Sequence, residues 1–555
     1  MRNAISLLEF DRHHYPGAKE ENMANSIKSQ AAQQLLGTEG FFPDSRAFDW
    51  LSLIDRVNNL IIGTRHDDVL AAQADGDIVL GLAGDDHLSS AFNRTALIGG
   101  RGDDTLTTNV VVPQGDLHGL AIQFGGTGND HLDGTVTLQG ESTPQSTEKT
   151  ADVLLDGGSG NDVINATANV APRVFETVTV STHVFGGSGD DTIHALADGH
   201  NAFGDSIVMN TVDGGSGDDH ITARAETEFS GLNSSASNVL FGGDGNDVLD
   251  AAAIGQSNST DLVTNELHGG RGDDILRAFN LTDSNSSTPV GINQLWGDDG
   301  NDTLEATHST DGENAVTDLT NYLDGGRGND TLIANSTALG EAVRALNQLE
   351  GGSGNDSLTA HLDAVAGGRL GSPGGELYNV ANVLNGGAGD DQLTAFLSAT
   401  PIPGVMDNSV AENRLDGGAG NDVLTATVAP GSLGSSFLNG GAGNDQLTVI
   451  GGSGNVLDGG DGNDRLTSGI GNDNMLGERG ADTFVFAAQN GHDTADFQTG
   501  RDKIDLTALA ANNIHDFGDL NIQVTGGNTV IHFDANNDVT IAGVQNLSAS
   551  DFWFA

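Results

Sequence analysis

The stretch Gly-Gly-Ser-Gly-Asn-Asp-Val-Ile at residues 157–164 decides the fold, because the same phrase recurs along most of the 555-residue chain. It returns as Gly-Gly-Ser-Gly-Asp-Asp-His-Ile at 214–221 and as Gly-Gly-Asp-Gly-Asn-Asp-Val-Leu at 242–249. We number its residues as motif positions 1 to 8. Glycine readily adopts positive φ angles, so the phrase bends the chain tightly, and the Leu or Ile at position 8 begins a strand with an apolar face. The phrase therefore predicts a turn and a strand, repeated many times.

Motif position 6 is nearly always Asp, whereas position 5 alternates freely between Asn and Asp. Asx residues stabilise turns without a metal, but turn propensity alone would not separate the two positions so sharply. A carboxylate beside inward-pointing carbonyl oxygens offers hard oxygen ligands, which suit Ca²⁺ better than zinc or copper. We therefore expect the position-6 aspartates to ligate calcium: Asp86, Asp104, Asp130, Asp162, Asp191, Asp219, Asp247, Asp274, Asp302, Asp330, Asp356, Asp391, Asp422, Asp445, Asp464, Asp473 and Asp482.

The spacing of these aspartates predicts how the chain is organised. From Asp191 to Asp330 the steps are 28, 28, 27, 28 and 28 residues, and near both ends they shrink to nine or eighteen. Each long repeat reads as an outgoing strand, such as residues 331–334, a variable polar tip, and a return strand. The return strand ends with an apolar residue two places before the next glycine, as at Leu155 and Val184.

Such a repeat cannot bury its apolar face alone, but stacked neighbours can. We therefore predict an all-β fold, a parallel β-roll or β-solenoid of stacked glycine-rich turns, mostly with rungs of about 28 residues. Residues 1–57 do not repeat. The apolar spacing of Ala47, Phe48, Trp50, Leu51, Ile54 and Val57 predicts a short amphipathic helix that caps the first rung.

Composition narrows the possible partners. The formal charge is −56, from 78 acidic and 22 basic residues, which disfavours nucleic acid and anionic membranes. The chain has no cysteine, so disulfides and thiolate chemistry are excluded. No stretch approaches the roughly 18 apolar residues of a membrane span. The first residues lack the pattern of a secretory signal, and this observation by itself would predict a cytoplasmic location.

Residues from about 60 to 482 resemble the calcium-binding β-roll of RTX proteins, and the tail resembles the C-terminal region of serralysin-type secreted proteins. The matching tail segments are Gly-Ala-Asp-Thr-Phe-Val-Phe at 480–486, His-Asp-Thr at 492–494, Gly-Arg-Asp-Lys-Ile-Asp-Leu at 500–506 and Asp-Phe-Trp-Phe at 551–554. The resemblance implies calcium ions between turns stacked on one side. It also implies an uncleaved C-terminal signal for a type I secretion system, and hence an extracellular location.

One departure from the family pattern matters. Nine-residue repeats of the family alternate between two sides of the roll, whereas a 28-residue repeat carries one glycine turn, so only one edge should bind calcium. We divide the chain into an N-terminal cap segment (1–57), a calcium-binding solenoid (58–477) and a C-terminal cap with the secretion region (478–555).

Three functional hypotheses follow. We favour a non-enzymatic, secreted calcium-binding protein with a structural, adhesion, matrix or biofilm role, with cell-surface or matrix polysaccharide as a possible partner. The alternatives are a polysaccharide-modifying enzyme on a β-solenoid and an RTX toxin or bacteriocin-like protein. The zinc-binding pattern His-Glu-x-x-His and the Gly-x-Ser-x-Gly elbow do not occur. We interpret the 16 histidines as strand-surface residues, and Trp296 as an exposed strand residue.

Overall fold

The computed structural model describes residues 59–140, 148–171, 177–200, 204–228, 233–257, 260–284, 289–310, 316–340, 342–366, 376–400 and 410–555. The chain forms two compact units, the first of residues 1–231 and 238–248, the second of residues 232–237 and 249–555. The predicted N-terminal cap helix lies outside the described residues.

Short stretches of β-strand make up almost all of the described chain. They are β1 Leu60–Ile62, β2 Val69–Ala71, β3 Ile78–Ala83, β4 His87–Ser90, β5 Thr95–Arg101, β6 Thr105–Val112, β7 His118–Thr127, β8 His131–Leu138, β9 Glu148–Ser159, β10 Val163–Val170, β11 Thr177–Ser188, β12 Thr192–Asp198, β13 Ser206–Ser216, β14 His220–Glu228, β15 Asn233–Asp244, β16 Val248–Ser257, β17 Thr260–Arg271, β18 Ile275–Ser284, β19 Val290–Asp299 and β20 Thr303–Thr310.

The remaining strands are β21 Val316–Arg327, β22 Thr331–Gly340, β23 Ala342–Ser353, β24 Ser357–Ala366, β25 Glu376–Ala388, β26 Gln392–Thr400, β27 Ala411–Ala419, β28 Val423–Val428, β29 Ser435–Ala442, β30 Gln446–Ile450, β31 Val456–Asp461, β32 Arg465–Thr467, β33 Asn474–Leu476, β34 Thr483–Val485, β35 His492–Ala495, β36 Lys503–Asp505, β37 Asn521–Thr525, β38 Asn528–His532, β39 Asp538–Ile541 and β40 Phe552–Trp553. Three short 3-10 helices, η1 Thr507–Asn512, η2 Phe517–Asp519 and η3 Ala549–Asp551, lie near the C-terminus.

In the first unit each coil contributes one strand to each of two parallel sheets. Odd-numbered strands pair with odd-numbered strands, as β9 pairs β11 and β11 pairs β13, and even-numbered strands pair likewise. The pairing places the same motif position of successive coils side by side, so that Leu155 lies opposite Val184 and Val184 opposite Val212. This confirms the predicted parallel β-solenoid.

Burial alternates along each strand, as the period-two pattern predicts. Strand β10 alternates buried and solvent-facing residues throughout its length. Ile164 at motif position 8 stacks between Leu132 and Ile193, and all three are fully buried. Burying one such side chain contributes about 1.5–3 kcal/mol, so a row repeated in every coil drives the stacking.

The second unit follows the same plan, with Leu276, Leu304 and Leu332 in register on its even-numbered strands. Its C-terminal part differs. Strands β37, β38 and β39 form an antiparallel sheet, and β39 joins the solenoid by pairing in parallel with β35. Strand β40 pairs in parallel with β36, so the last residues close the other sheet. No helix of the described residues is long and apolar enough to cross a membrane.

A ladder of buried asparagines lies inside the solenoid, and the sequence analysis did not predict it. In the second unit the side-chain Nδ2 of each member donates to the Oδ1 of the next at 2.8–2.9 Å, through Asn265, Asn293, Asn321, Asn347, Asn382 and Asn413. In the first unit Asn210 donates to Asn238 in the same way. Each asparagine lies two residues before the buried Leu or Val of the return strand, so the recurring Asn-x-Leu was the signal in the sequence.

His308 contradicts the interpretation of the histidines as strand-surface residues. Its side chain points into the second unit and is 1% exposed. Gly291 makes the space, because a Cβ there would lie 1.5 Å from His308 Cε1. Within the described part of the chain neither ring nitrogen has a hydrogen-bond partner. Complete burial lowers the pKa of His308 to about 3, so the imidazole is neutral.

Candidate calcium sites along the glycine edge

The glycine turns of each unit line up along one edge of the coils, which we call the glycine edge. Gly158 and Gly160, at motif positions 2 and 4, have φ of 106° and 121°, which confirms the expected positive-φ turn. Gly157, at position 1, serves a different purpose. A Cβ on Gly157 would lie 2.3 Å from Asp162 Oδ2 and 2.7 Å from the carbonyl oxygen of Gly186 in the next coil. Glycine at position 1 thus keeps open a space lined by two oxygens.

Among the turns of the predicted ligands on this edge, three depart from the motif at position 2, with Leu82, Asp298 and Glu478 in place of glycine. All three keep positive φ, at 87°, 72° and 58°. The stack therefore imposes the turn conformation even on residues that adopt it at an energetic cost.

The position-6 aspartates form a continuous series of hydrogen bonds in each unit, which we call the aspartate ladder. The backbone N–H of one aspartate donates to Oδ1 of the aspartate in the following coil, as Asp130 donates to Asp162 and Asp162 to Asp191, both at 2.7 Å. The second unit repeats this, for example from Asp302 to Asp330 at 2.8 Å. Every rung of the ladder therefore uses one carboxylate oxygen to join two coils.

The other carboxylate oxygen, Oδ2, is buried and accepts no hydrogen bond within the described residues. This holds for Asp86, Asp104, Asp130, Asp162, Asp191, Asp219, Asp302, Asp330, Asp356, Asp391, Asp422, Asp445, Asp464 and Asp482. Asp247 and Asp274 occupy the same position, since Asp247 accepts from Asp219 and Asp274 donates to Asp302. A buried carboxylate oxygen without a partner is costly unless a cation compensates it.

The pKa values of the ladder aspartates also indicate that negative charge is unfavourable there. Burial is the largest cause that raises the pKa of Asp162 and Asp219 to about 7, and repulsion from neighbouring ladder aspartates raises it further. The backbone N–H that each accepts opposes the shift without cancelling it. In the second unit the pKa of Asp464 also rises to about 7, and that of Asp302 to about 6. Stacked carboxylates repel one another, and a divalent cation would remove this repulsion.

Motif position 5 forms a second row with the opposite hydrogen-bond direction. There the backbone N–H donates to Oδ1 of the preceding coil, as Asn161 donates to Asn129 and Asn421 to Asp390. Asp390 is solvent-exposed, and the hydrogen bonds from Asn421 lower the pKa of its carboxyl. Burial raises the pKa of Asp391, the next residue in the chain. An amide oxygen suffices at position 5, which accounts for the free exchange of Asn and Asp there.

Asp473 does not belong to the ladder of the glycine edge. Asp464 donates directly to Asp482, eighteen residues on, and Asp473 lies on the opposite edge between Asn455 and Asp493. Its Oδ2 accepts from the Gly469 N–H at 2.9 Å. Both oxygens of Asp473 therefore have protein donors, unlike those of the ladder aspartates. Its role as a calcium ligand stays a prediction.

The two ends of the ladder also differ from its middle. At the start of the first unit, Oδ2 of Asp68 accepts from the backbone N–H and the hydroxyl of Thr64. In the second unit Asp502 accepts from Asp482 and, through Oδ2, from the Gln498 N–H. Oδ2 of each of these terminal carboxylates therefore has protein hydrogen-bond donors, unlike Oδ2 of the ladder aspartates named above.

The donor set fits calcium. In the described ranges no three His, Cys, Asp or Glu side chains are grouped so that they could hold a metal. Calcium accepts backbone carbonyl oxygens as well as carboxylate oxygens as ligands. The space at Gly157 is lined by Asp162 Oδ2 and the Gly186 carbonyl oxygen. The equivalent space at Gly214 is lined by Asp219 Oδ2 and the Gly242 carbonyl oxygen. These residues would hold the ion, which would neutralise the ladder and tie adjacent coils together.

The other side chains that the sequence singled out lie away from this edge. His131 and His194 lie on outer strand surfaces, as expected. Trp296 is half-buried rather than exposed, and its ring stacks on His268 with centroids 4.4 Å apart and an interplanar angle of 4°. His268 thus covers that face of the indole, and the covered face is not free to stack on a sugar.

Comparison with known protein families agrees with this geometry. The family model described as Peptidase M10 serralysin C terminal matches residues 167–554, which is more than half of the chain. The model of the RTX calcium-binding nonapeptide repeat (4 copies) matches residues 57–89 and 150–168. No curated protein matches the chain.

Proposed function

The chain belongs to the Peptidase M10 serralysin C-terminal family and carries RTX calcium-binding repeats, and we propose that it is a non-catalytic protein that folds on calcium after export. Family membership makes it a secreted calcium-binding β-roll protein. The proposal adds that a type I system exports the chain unfolded, and that the folded solenoid serves a structural, adhesion or matrix role outside the cell. We also propose the ladder aspartates as the calcium ligands.

The buried, unpartnered Oδ2 atoms of the ladder carry this proposal. Without a cation, folding must bury a carboxylate in every coil and bring it next to others. A bound divalent ion offsets two charges and gives each Oδ2 a partner, so its binding free energy becomes folding free energy. The formal charge of −56 leaves the calcium-free chain strongly self-repelling.

The calcium concentration outside cells, about 10⁻³ M, is enough to fill sites of even modest affinity. Inside the cell the sites would stay empty and the chain unfolded, which suits passage through a narrow channel. Because the ladder links each coil to the next by an N–H···Oδ1 bond, ordering of one coil presents the donor or acceptor that the next requires. Folding should therefore propagate cooperatively along each unit.

Far-UV circular dichroism during a calcium titration tests the proposal. The calcium-free chain is expected to give a coil spectrum, and calcium a sigmoidal conversion to a β spectrum that chelator reverses. Magnesium at equal concentration is expected to be much less effective, because it demands near-octahedral geometry and gives up its water reluctantly. A β spectrum that is unchanged by chelator would contradict calcium-dependent folding.

The export route needs its own test. A chain that lacks residues 478–555 should remain inside cells that carry a type I secretion system, while the full chain appears in the medium. The same 78 residues fused to an unrelated slow-folding protein should direct its export. Efficient release of the truncated chain would contradict a secretion signal in the tail.

A further inference from the structure

Aromatic rings stack on the outer face of the second unit, close to the glycine edge. His268 and Trp296 each occupy the last outward position before the glycine turn of their coils, and they lie opposite each other on β17 and β19. Because their rings are parallel, the indole turns one face to His268 and the other to the following coil. That second face of Trp296 is one wall of a candidate binding site.

The following coil places a short side chain next to this second face. Asp324 lies directly opposite Trp296, and Glu350 lies opposite Asp324 in the coil after that. Two strand spacings, about 9.6 Å, therefore separate Trp296 from Glu350, with the smaller aspartate between them. Tyr322 stands at one side, and its ring centroid is 5.9 Å from that of Trp296, with an interplanar angle of 52°. We call Trp296, Tyr322, Asp324 and Glu350 the aromatic notch.

Negative charge gathers in the aromatic notch. Tyr322 donates its hydroxyl hydrogen to Asp324 Oδ2 at 3.3 Å. Burial raises the pKa of Asp324, and repulsion from Glu350 raises it further. Burial and the Asp324 carboxylate raise the pKa of Tyr322 to about 12, so the phenol keeps its proton. Arg327, in the same coil, pairs with Asp299 at 2.8 Å. A positively charged ligand would relieve the repulsion between the two carboxylates.

The groups of the notch fit an organic cation better than a metal ion. Each oxygen of Glu350 already accepts an amide hydrogen, Oε1 from Gln348 at 3.1 Å and Oε2 from Asn385 at 2.8 Å. The backbone carbonyls of a sheet face are engaged in strand pairing, and no three acidic or histidine side chains of the described residues are placed to hold a metal. An aromatic face, in contrast, attracts an organic ammonium ion that lies within about 6 Å of the ring centroid.

We propose that the aromatic notch binds an alkylammonium group. The group would lie against the second face of Trp296, with the ring of Tyr322 at its side. The carboxylates of Asp324 and Glu350 would balance its charge. The second unit would then hold a cationic organic molecule on its outer face, at a place separate from the carboxylate oxygens that we propose as calcium ligands.

The binding of choline tests the charge requirement. The full chain in saturating calcium should bind choline, detected by saturation-transfer NMR from the protein to the N-methyl protons. The neutral isostere, with a tert-butyl group in place of trimethylammonium, should bind about tenfold more weakly, because it lacks the charge. Glucosamine and Nα-acetyl-lysinamide, added as competitors, distinguish a sugar amine from a protein amine as the source of the group. Failure of choline to bind, or equal binding of the isostere, would overturn the proposal.

Substitutions locate the site. Trp296→Leu should weaken choline binding about tenfold, because it removes the aromatic wall. Asp324→Asn should weaken it several-fold without removing a packed ring. The matched control Asp416→Asn changes a carboxylate of the same outward row, two coils beyond Glu350, and should leave choline binding unchanged. Circular dichroism in calcium checks that each variant folds. Equal losses in Asp324→Asn and Asp416→Asn would show a diffuse effect of the acidic surface and would overturn the proposal.

Discussion

Asp218 and Asp219 are adjacent in the chain, yet their side chains bond in opposite directions along the stack. Asp218 Oδ1 accepts from the Asn246 N–H of the following coil, and Asp219 Oδ1 from the Asp191 N–H of the preceding coil, each at 2.8 Å. Asp218 is exposed, while Asp219 is 2% exposed and its Oδ2 has no hydrogen-bond donor among the described residues. The two adjacent carboxylates therefore differ: that of Asp218 is a solvent-exposed acceptor in the turn, and that of Asp219 holds the buried oxygen that we propose as a calcium ligand.

Asn substitutions at these two positions should have different effects. Asp218→Asn keeps the acceptor Oδ1 and should leave calcium binding unchanged. Asp219→Asn also keeps Oδ1 but replaces the buried charged oxygen with an amide, so we expect the loss of one calcium ion and a midpoint for folding raised by several-fold. Isothermal titration of both variants, with stoichiometry and midpoint compared, provides the measurement. Equal behaviour of the two variants would contradict the assignment of position 6 as the ligand.

The calcium-free chain should become more able to fold on mild acidification. The folded-state pKa of the ladder aspartates is raised, to about 7 for Asp104 and Asp162, from an unfolded value of 3.8. The folded chain therefore takes up protons, and stability is greatest at low pH and falls as the pH rises from about 4 to 7. We expect calcium-stripped protein to gain β signal in circular dichroism between pH 7.5 and 5. A loss of β signal over that range would contradict the expectation.

His308 should have the opposite pH dependence. Its folded-state pKa, about 3, is depressed below the unfolded 6.5, so its contribution to stability is present above pH 6.5 and is lost as the pH falls below it. The loss approaches about 1.4 kcal/mol per pH unit. We expect His308→Leu, in calcium, to lose less stability than the unmodified chain between pH 7.5 and 5.5, measured by urea unfolding. An identical loss in both proteins would show that His308 titrates freely.

The asparagine ladder should contribute stability that does not depend on calcium. Asn321 accepts from Asn293 and donates to Ser336 and Asn347, all of them buried. Asn321→Leu removes these three hydrogen bonds, although Ser336 still donates to Asn347 and Asn293 still donates to the Thr307 carbonyl, and it should cost on the order of 1–3 kcal/mol at saturating calcium. The control Asn439→Leu alters an exposed asparagine that donates to Asp416, and should have little effect on urea unfolding. Comparable destabilisation by the two variants would contradict a special role for the ladder.

Features that repeat with every coil were predictable from the sequence. The Gly-Gly turn, the apolar residue at position 8 and the Leu or Val before the turn recur at fixed spacing, so their stacking in register follows from periodicity alone. The contrast between positions 5 and 6 indicated the buried carboxylate, although the reason for Gly157 became clear only from its distance to Asp162 and Gly186.

Other features depend on which coils meet, and local patterns did not reveal them. The nine-residue step places Asp473 on the edge opposite Asp464, because eighteen residues complete a coil there, but it did not reveal that both carboxylate oxygens of Asp473 have protein donors. The inward direction of His308 depends on the space left by Gly291, seventeen positions earlier.

Oδ2 of Asp68 and of Asp502 already has hydrogen-bond donors within the protein, and this bears on how such proteins change length. Since Thr64 and Gln498 supply their hydrogen-bond donors, neither end depends on the number of coils in its own unit. A coil such as that of Asp162 brings one N–H donor and one acceptor oxygen to the ladder, so a duplication keeps these hydrogen bonds balanced and, on the proposed function, adds one calcium site. The number of coils can therefore change during evolution, and if calcium drives folding as proposed, each added coil would raise the amount of calcium needed for complete folding without any new residues at the ends.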